Sequence, residues 1–382
     1  MPTLGLNLTL LIGTTTPCPV STALSEAVDS LEVTYRDQGQ AGFQIVFRVG
    51  RAEPADAQDD PLLRGATEQL LAPFNRVIVQ VMANGQPHIL LDGIITYYEF
   101  APSLEPGESI LTVTGEDVSV MMDLEEKSVE HLELNDQSIV QKILTSYTKY
   151  GIVPKLSTPQ WVDRPLKTDR VPIQIGTDRE YIQELAARHG FVFYINPGPA
   201  TGSNQAYWGP PNRQATPSKP LTFKMGSFTN VESINFQYDA LAVMRVQGRV
   251  QDRKTNQIQP VSIESSRRSP FSQEPALTTQ THIRTAQFRQ TARLGIQATA
   301  YAQAMVDRTV DSAVTVTGEL DTLTYGDFLQ HGGVVDLRGV GQTYDGRYYV
   351  NEVTHYIQQG DYKQRFKLTR EGLGSTISSV TV

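Results

Sequence analysis

His331-Gly332-Gly333 is the first place to look for chemistry, because a His-Gly-Gly run can present backbone amides to an oxyanion. Such a loop serves acyl transfer only opposite a nucleophile, and a Gly-x-Ser-x-Gly elbow occurs nowhere in the chain. The run therefore reads as a turn ahead of a strand. His355 lies in an alternating segment with no second histidine at helical or hairpin spacing, which points to a packed or interface residue rather than a base or metal ligand. Glu125-Glu126 reads as a solvated turn. Cell-wall hydrolysis needs an acid and a nucleophile or base close together, and no spacing here establishes such a pair. Gly339-Val340-Gly341 lacks the third glycine and the helix of a dinucleotide fingerprint and reads as a bend between strands. Arg267-Arg268 reads as a solvated loop with the option of meeting a phosphate or an acidic partner, and Ala206-Tyr207-Trp208 as an aromatic pair that either stacks on a sugar or caps a core. No catalytic, cofactor-binding or metal-ligating residue is assigned.

The bulk properties narrow the classes further. A chain of 382 residues implies two to four packed units. With 39% hydrophobic and 19% charged residues and no low-complexity tract, it is an ordered globular protein. A net charge of −8 is the opposite of the basic footprint of a nucleic-acid binder. No run approaches the ~20 apolar residues of a membrane span. The opening stretch Leu4 to Ile12 has no basic flank and is interrupted by Asn7 and Thr9, so a strand is expected there, with no signal peptide and no membrane insertion. Cys18 is the only cysteine, which excludes an intrachain disulfide and a cysteine-based zinc site and is consistent with assembly in a cytoplasm.

The elements that must position these residues are mostly strands. Leu6 to Ile12, Leu31 to Tyr35, Phe43 to Val49, Arg76 to Met82, Ile89 to Tyr98 and Ile110 to Thr114 carry strand signals, and Asn84-Gly85 supplies the positive φ angles of a tight hairpin. The period then changes. Ile139, Val140, Ile143, Leu144 and Tyr147 recur at helical spacing within Asp136 to Tyr147. Thr177 and Glu180 have the spacing of a capping box, Tyr181, Ile182, Leu185 and Ala186 make one apolar face, and Gly190 is placed to end that helix before the strand Phe191 to Ile195. Asn196 to Pro220 and Gln251 to Gln290 read as long loops, ordered by partners or mobile. A helix over Gln297 to Arg308, with Tyr301, Met305 and Arg308 on one face, precedes further strands. Among them Phe366 and Leu368 alternate with Arg365 and Lys367 after a Gln359-Gly360-Asp361 turn.

Four C-terminal segments in order, Val334 to Gly341 with Gly339 and Gly341, Asp345 to Val350 with Gly346, Tyr348 and Val350, Val353 to Ile357 with His355, and Phe366 to Arg370, resemble the closing barrel of the phage baseplate hub proteins. That family includes the late control protein D of contractile phages, the gp27-like hubs and the hub half of the type VI secretion spike. Thr114-Gly115-Glu116-Asp117 with Met121-Met122-Asp123-Leu124 also resembles it, as does Asp178 to Tyr194 with Leu185 and Gly190. Gln330-His331-Gly332-Gly333 departs from the Pro-Gly that family members more often carry before the strand. The resemblance spans most of the chain, thinly spread.

The resemblance implies a β-rich α+β fold with two tube-like β-barrel domains flanking a small α/β insert. The expected units are 1–125 (first barrel), 126–230 (insert with a Pro/Gly-rich loop), 231–290 (connecting strands and long loop) and 291–382 (second barrel). It implies a structural, non-enzymatic hub of a contractile tail or phage-like injection particle, a homotrimer forming a pseudo-hexameric ring between a six-fold tube and a three-fold spike. Implied partners are the tail tube or its initiator, baseplate wedge proteins and a separate central spike, since the chain stops at Val382. DNA or cargo would meet it only in transit. The alternative is a tail-associated cell-envelope hydrolase.

Overall fold

The computed structural model describes residues 8–39, 41–49, 66–83, 86–105, 107–168, 170–291 and 293–377. Alternating sequence becomes strand wherever one face finds a core. In Gly42–Val49 the buried positions are Phe43, Ile45, Phe47 and Val49. In Asp361–Arg370, Tyr362, Gln364, Phe366 and Leu368 turn inward while Arg365 stays exposed, the alternation its sequence predicts. Burying each large apolar side chain contributes about 1.5–3 kcal/mol, enough to fix which face looks inward.

One antiparallel path runs through Val231–Tyr238, Val314–Asp321, Asp361–Arg370, Gly346–Gln358, Val28–Arg36, Gly42–Val49, Ser109–Asp117 and Gln86–Ala101. It continues through Arg76–Ala83 and Leu8–Gly13 to Cys18–Pro19. Ser218–Thr222 and Val334–Arg338 branch off beside Gly346–Gln358. The sheet serves two cores. Val33, Phe43, Phe47, Val79 and Leu91 belong to the first, and Val316, Leu337, Tyr348, Val350, Phe366 and Leu368 to the second. Gly346–Gln358 belongs to both, since Val353 packs in the second core and Ile357 in the first. The N- and C-terminal strands are thus hydrogen-bonded neighbours, with Val33 opposite His355. The architecture is β-rich α+β, two tube-like barrel domains flanking an α/β insert.

The insert has its own core. The helix Asp136–Thr145 buries Ile139, Val140, Ile143 and Leu144, as their spacing predicts, and Tyr147 lies just past its end. The helix Asp178–His189 begins with the Thr177/Glu180 capping box and ends at Gly190 with φ +66°. The strand Val192–Pro197 follows and pairs with Asn204–Gly209, which lies within the stretch expected to be a loop.

Gln251 to Gln290 is likewise not a long loop. Val231–Tyr238 is an outer strand of the main sheet. Met244–Gln251, Ile258–Ile263 and Arg284–Phe288 form a three-stranded sheet, and Ser272–Pro275 pairs with Gly372–Ser375. Their apolar content is low because only one face of each strand is covered. The missing half of that core comes from the helix Gly295–Val310, whose Ala298, Tyr301, Ala302 and Val306 lie against Val246, Val261 and Phe288. Small alanines let the helix approach closely, so the buried face centres on them, with Met305 at its margin and Arg308 exposed. Leu6 of the expected first strand and the Asn84-Gly85 turn fall outside the described residues, although Ala83 pairs with Gln86 across that turn.

Candidate functional site

The C-terminal motif residues converge on one buried guanidinium. Arg370 is fully buried and donates from Nε to the Gly372 carbonyl at 2.9 Å, from Nη1 to Asp345 at 3.0 Å and from Nη2 to Thr343 at 2.9 Å. Its guanidinium carbon lies 4.5 Å from the centroid of the Tyr348 ring, whose hydroxyl donates to the Tyr344 carbonyl at 2.6 Å. Burial lowers the Arg370 pKa, opposed by Tyr348, Glu371 and Asp345. Gly346, at φ +132°, leaves the room, since a Cβ there would stand 2.8 Å from Nη1. At Gly339 a Cβ would come within 2.0 Å of the Phe223 carbonyl oxygen, whereas Gly341, at φ +99°, faces open space and is required only by its backbone angle. Val350 fills the core beside Tyr348. A buried cation of this kind is tolerable only when it is hydrogen-bonded, and these bonds hold loops to strands.

The other motif residues lie in the insert and where it meets its neighbours. Asp117 caps the 3-10 turn Val118–Met122 by accepting from the Ser119 amide at 2.7 Å, and burial pushes its carboxyl up. Gly115 leaves room for the Phe43 ring, because a Cβ would stand 2.4 Å from that ring and 2.1 Å from the Ile94 carbonyl oxygen. Met122 and Leu185 fill the insert core. Asp178 accepts from Lys127 at 2.6 Å and from Gln174 and Tyr147 at 2.7 Å. Burial alone would raise its carboxyl, but these donors outweigh it and hold it below the ordinary value. Gly190 sits against Ala304 of the helix Gly295–Val310, and its carbonyl accepts from Arg268, which also pairs with Asp311 at 3.1 Å. Arg268 is therefore a tie between units and not a solvated loop residue.

Two buried ion clusters escape a reading by sequence spacing. Arg76 meets Asp92 through two bonds of 2.7 and 2.6 Å and reaches the Tyr150 and Gly202 carbonyls at 3.0 Å, riveting the first barrel to the insert. Glu371 accepts from the amides of Phe271 and Ser272 at 2.6 and 2.7 Å and from Arg213, which also bonds Asp311 at 3.2 Å. Arg213, Phe271, Asp311 and Glu371 lie far apart in the chain, and the one legible signal is Arg-Glu at 370–371 at the close of the strand Asp361–Arg370.

The candidate chemical groups are engaged in packing. His355 Nδ1 lies 3.0 Å from the Tyr362 hydroxyl, and burial, aided by His88 and His331, lowers its pKa to about 3. His331 stacks on Tyr35 with ring centroids 5.0 Å apart and is lowered by burial to about 3. His88, His331 and His355 thus share a cavity of about 150 Å³ that spacing did not foretell, yet among the described residues no group of three or more His, Cys, Asp or Glu can hold a metal. Trp208 is fully buried, with its indole N–H 3.4 Å from the Ile182 carbonyl, so Tyr207-Trp208 caps a core and offers no sugar platform. One cleft, of about 700 Å³, contains Asp37, whose carboxyl burial raises to about 7, and Asp311, which Arg213 and Arg268 occupy.

What remains open to a partner is sheet edge. Gln86–Ala101 pairs with Arg76–Ala83 only as far as Ile94, and beyond Thr96 its outer edge has no strand neighbour among the described residues. That free length carries Tyr97, Tyr98 and Phe100, each more than 40% exposed. At the opposite end of the sheet Val231–Tyr238 pairs on one side only among the described residues, with Tyr238 40% exposed. Neither edge is guarded by proline or lysine.

No protein-family model matches the chain, and no curated protein matches it. Solved structures do match. A tail protein from Neisseria meningitidis MC58 has a TM-score of 0.63 at 13% identity, with 97% of this chain and 98% of that one covered. The Escherichia coli c3393 protein, a type VI secretion component structurally similar to the T4 bacteriophage tail proteins gp27 and gp5, has a TM-score of 0.57 at 12% identity over 90% of this chain and 73% of that one. The chain has the phage tail hub fold. The hub fold recurs in the 43 kDa tail protein of prophage MuSo2 from Shewanella oneidensis, with a TM-score of 0.62 at 11% identity over 96% and 99% of the two chains. At such identities the likeness lies in strand arrangement. No described helix of this hub fold is long and apolar enough to cross a membrane.

Proposed function

We propose that the chain is the structural baseplate hub of a contractile phage tail or phage-like injection system. In this reading it is a homotrimer whose subunits form a pseudo-hexameric ring, adapting a six-fold tail tube to a three-fold spike. The tube or its initiator, a separate central spike and wedge proteins are its partners. The virion baseplate, or an injection particle assembled in the cytoplasm, is its place. The two tube barrels are drawn from 1–125 and 291–382, with Ser218–Thr222 and Val231–Tyr238 joining the second.

The observation that carries this reading is the polarity of the two free edges. Eight strands lie between and including Val231–Tyr238 and Gln86–Ala101, each antiparallel to the next, so the two end strands run in opposite directions. Rotation about an axis along the strands preserves direction. One copy's Thr96–Ala101 edge therefore meets the next copy's Val231–Tyr238 edge antiparallel, and ring closure removes both exposed edges.

The test uses a Cys18→Ser background, which leaves no cysteine. Tyr98→Cys and Asn235→Cys are placed in separate preparations, mixed and mildly oxidised. The expected result is a cross-link in the mixture that neither preparation forms alone, together with a trimer in native mass spectrometry. A monomer across a wide concentration range refutes the ring.

The role is mechanical and not enzymatic, and support comes from the uses already found for His355, Asp178 and Arg370. The hydrolase alternative has one observation behind it, the cleft holding Asp37. Peptidoglycan clearing by the purified protein that Asp37→Asn abolishes would establish it; no clearing removes it.

A further inference from the structure

The cleft of about 700 Å³ lies between the long sheet and the unit built on the helix Gly295–Val310. Lys367, Glu352 and Arg36 sit opposite one another on three neighbouring strands and line its sheet wall. Met244, Met305 and Arg308 line the other wall. Asp37 follows the strand Val28–Arg36 and is 2% exposed. Its amide donates to the Asn351 carbonyl at 3.1 Å, and the Asn351 side-chain amide donates to its carboxyl.

Charge in this cleft is unevenly cancelled. Arg36 is held by Glu352 at 3.0 Å, and Asp311 by Arg213 at 3.2 Å and Arg268 at 3.1 Å. Lys367 and Arg308 have no ion pair among the described residues. Asp37 does not neutralise them. Burial raises its carboxyl to about 7, against the smaller pull of the Tyr349 hydroxyl and Lys367, and Asp311 pushes the same way as burial. Below that pH the cleft therefore holds two open cations and a carboxyl group with a proton to donate.

An acid O–H, an ammonium and a guanidinium are all donors, and a carboxylate accepts from each of them. A dianionic phosphate fits less well, because Glu352 and the ionised form of Asp37 repel the second charge. Pro211, Ala242, Met244 and Met305 give an aliphatic stem apolar walls. The volume is that of a site for a ligand much larger than one carboxylate. Thr309, Thr315 and Thr369 add hydroxyls suited to peptide groups.

We infer that the cleft receives an acidic side chain, glutamate or aspartate, carried on a segment of a partner protein, with Lys367 and Arg308 as its counter-charges and Asp37 as a hydrogen-bond donor to it. The inference does not depend on the ring. The charged and titratable groups around Asp37 are Tyr349 and Glu352 on Gly346–Gln358, Lys367 on Asp361–Arg370, Arg36 on its own strand, and Arg308 and Asp311 at the end of the helix.

The experiment follows the methyl resonances of Met244 and Met305 in the full chain, labelled at its methionine methyl groups and assigned from Met244→Leu and Met305→Leu. The probes are the capped peptide Ala-Ala-Glu-Ala-Ala, its counterparts with Gln or Lys in place of Glu, and glutarate. The Glu peptide is expected to shift both resonances saturably and to bind at least about tenfold more tightly than the Gln and Lys peptides. Its binding should weaken about tenfold from pH 6 to pH 8, as the protonated fraction of Asp37 falls. Lys367→Gln combined with Arg308→Gln should cost at least about tenfold in affinity. Asp37→Asn, whose amide still donates, should bind the Glu peptide without the pH dependence. Thermal unfolding shows that each variant folds. No saturable shift, equal binding of the Glu and Gln peptides, preference for the Lys peptide, or unchanged binding in the Lys367/Arg308 double variant overturns the inference. Persistence of the pH dependence in Asp37→Asn overturns the part given to Asp37, and glutarate bound as tightly as the peptide overturns a protein segment as the occupant.

Discussion

Arg370 lies over the ring of Tyr348, 4.5 Å from its centroid, with three backbone carbonyls receiving N–H groups of its guanidinium and no carboxylate of the described residues bonded to it. The cation ties the loop at Thr343 and Asp345 to the turn at Gly372, and so closes the second barrel.

Arg370→Lys should therefore be far from conservative. A lysine ammonium cannot fork to three carbonyls on separate segments, so at least two acceptors lose a buried partner, and a loss of about 3 kcal/mol or more is expected in urea unfolding. Arg370→Lys within about 1 kcal/mol of wild type would show that the guanidinium fork does not hold the barrel closed.

Gly115 and Gly341 separate two reasons for glycine. Gly115→Ala drives a Cβ to 2.1 Å from the Ile94 carbonyl and 2.4 Å from Phe43, so overpacking of roughly 1–3 kcal/mol is expected. Gly341→Ala meets nothing within 4 Å and suffers only its positive φ, with an expected cost near 1 kcal/mol. Differential scanning calorimetry on the pair should rank Gly115→Ala as the lower-melting variant.

Acid should weaken the seam between barrels. His331 and His355 titrate near 3 in the folded chain against 6.5 when free, so the unfolded state binds more protons between those limits. Their contribution is complete above about pH 6.5 and is lost as pH falls toward 3. Asp37 acts oppositely. Burial raises it from 3.8 to about 7, so its contribution is present below about pH 4 and lost as pH rises through 7. His331→Phe, which keeps a ring on Tyr35, should flatten the acid limb of a stability-against-pH curve, and Asp37→Asn should steepen it between pH 4 and 7. An unchanged curve for both variants contradicts the burial that shifts these groups.

Legibility followed locality. The helix Asp178–His189 was readable to its caps because Thr177, Glu180 and Gly190 act within their own turn. Strands such as Gly42–Val49 were readable because alternation is a property of consecutive residues. The strands Ile258–Ile263 and Arg284–Phe288 were not, because half of their core is delivered by Ala298, Ala302 and Val306 from another segment. The motif glycines pointed to tight places without revealing what crowds them, Phe43 in one case and the Phe223 carbonyl in another.

By itself the sequence determined the β-rich class, the two ends of the helix Asp178–His189, the exclusion of disulfide and cysteine-zinc chemistry and, through ordered C-terminal segments, the resemblance to a hub. Only the tertiary structure decided that Gly346–Gln358 joins the two barrels into one sheet, that Arg76 finds Asp92 and the Tyr150 carbonyl, and that three histidines share one cavity. The physical reason is that capping and alternation act between neighbours along the chain. Buried charges and strand edges are satisfied by groups on other segments, from tens to hundreds of residues away, and no spacing records which of them will meet.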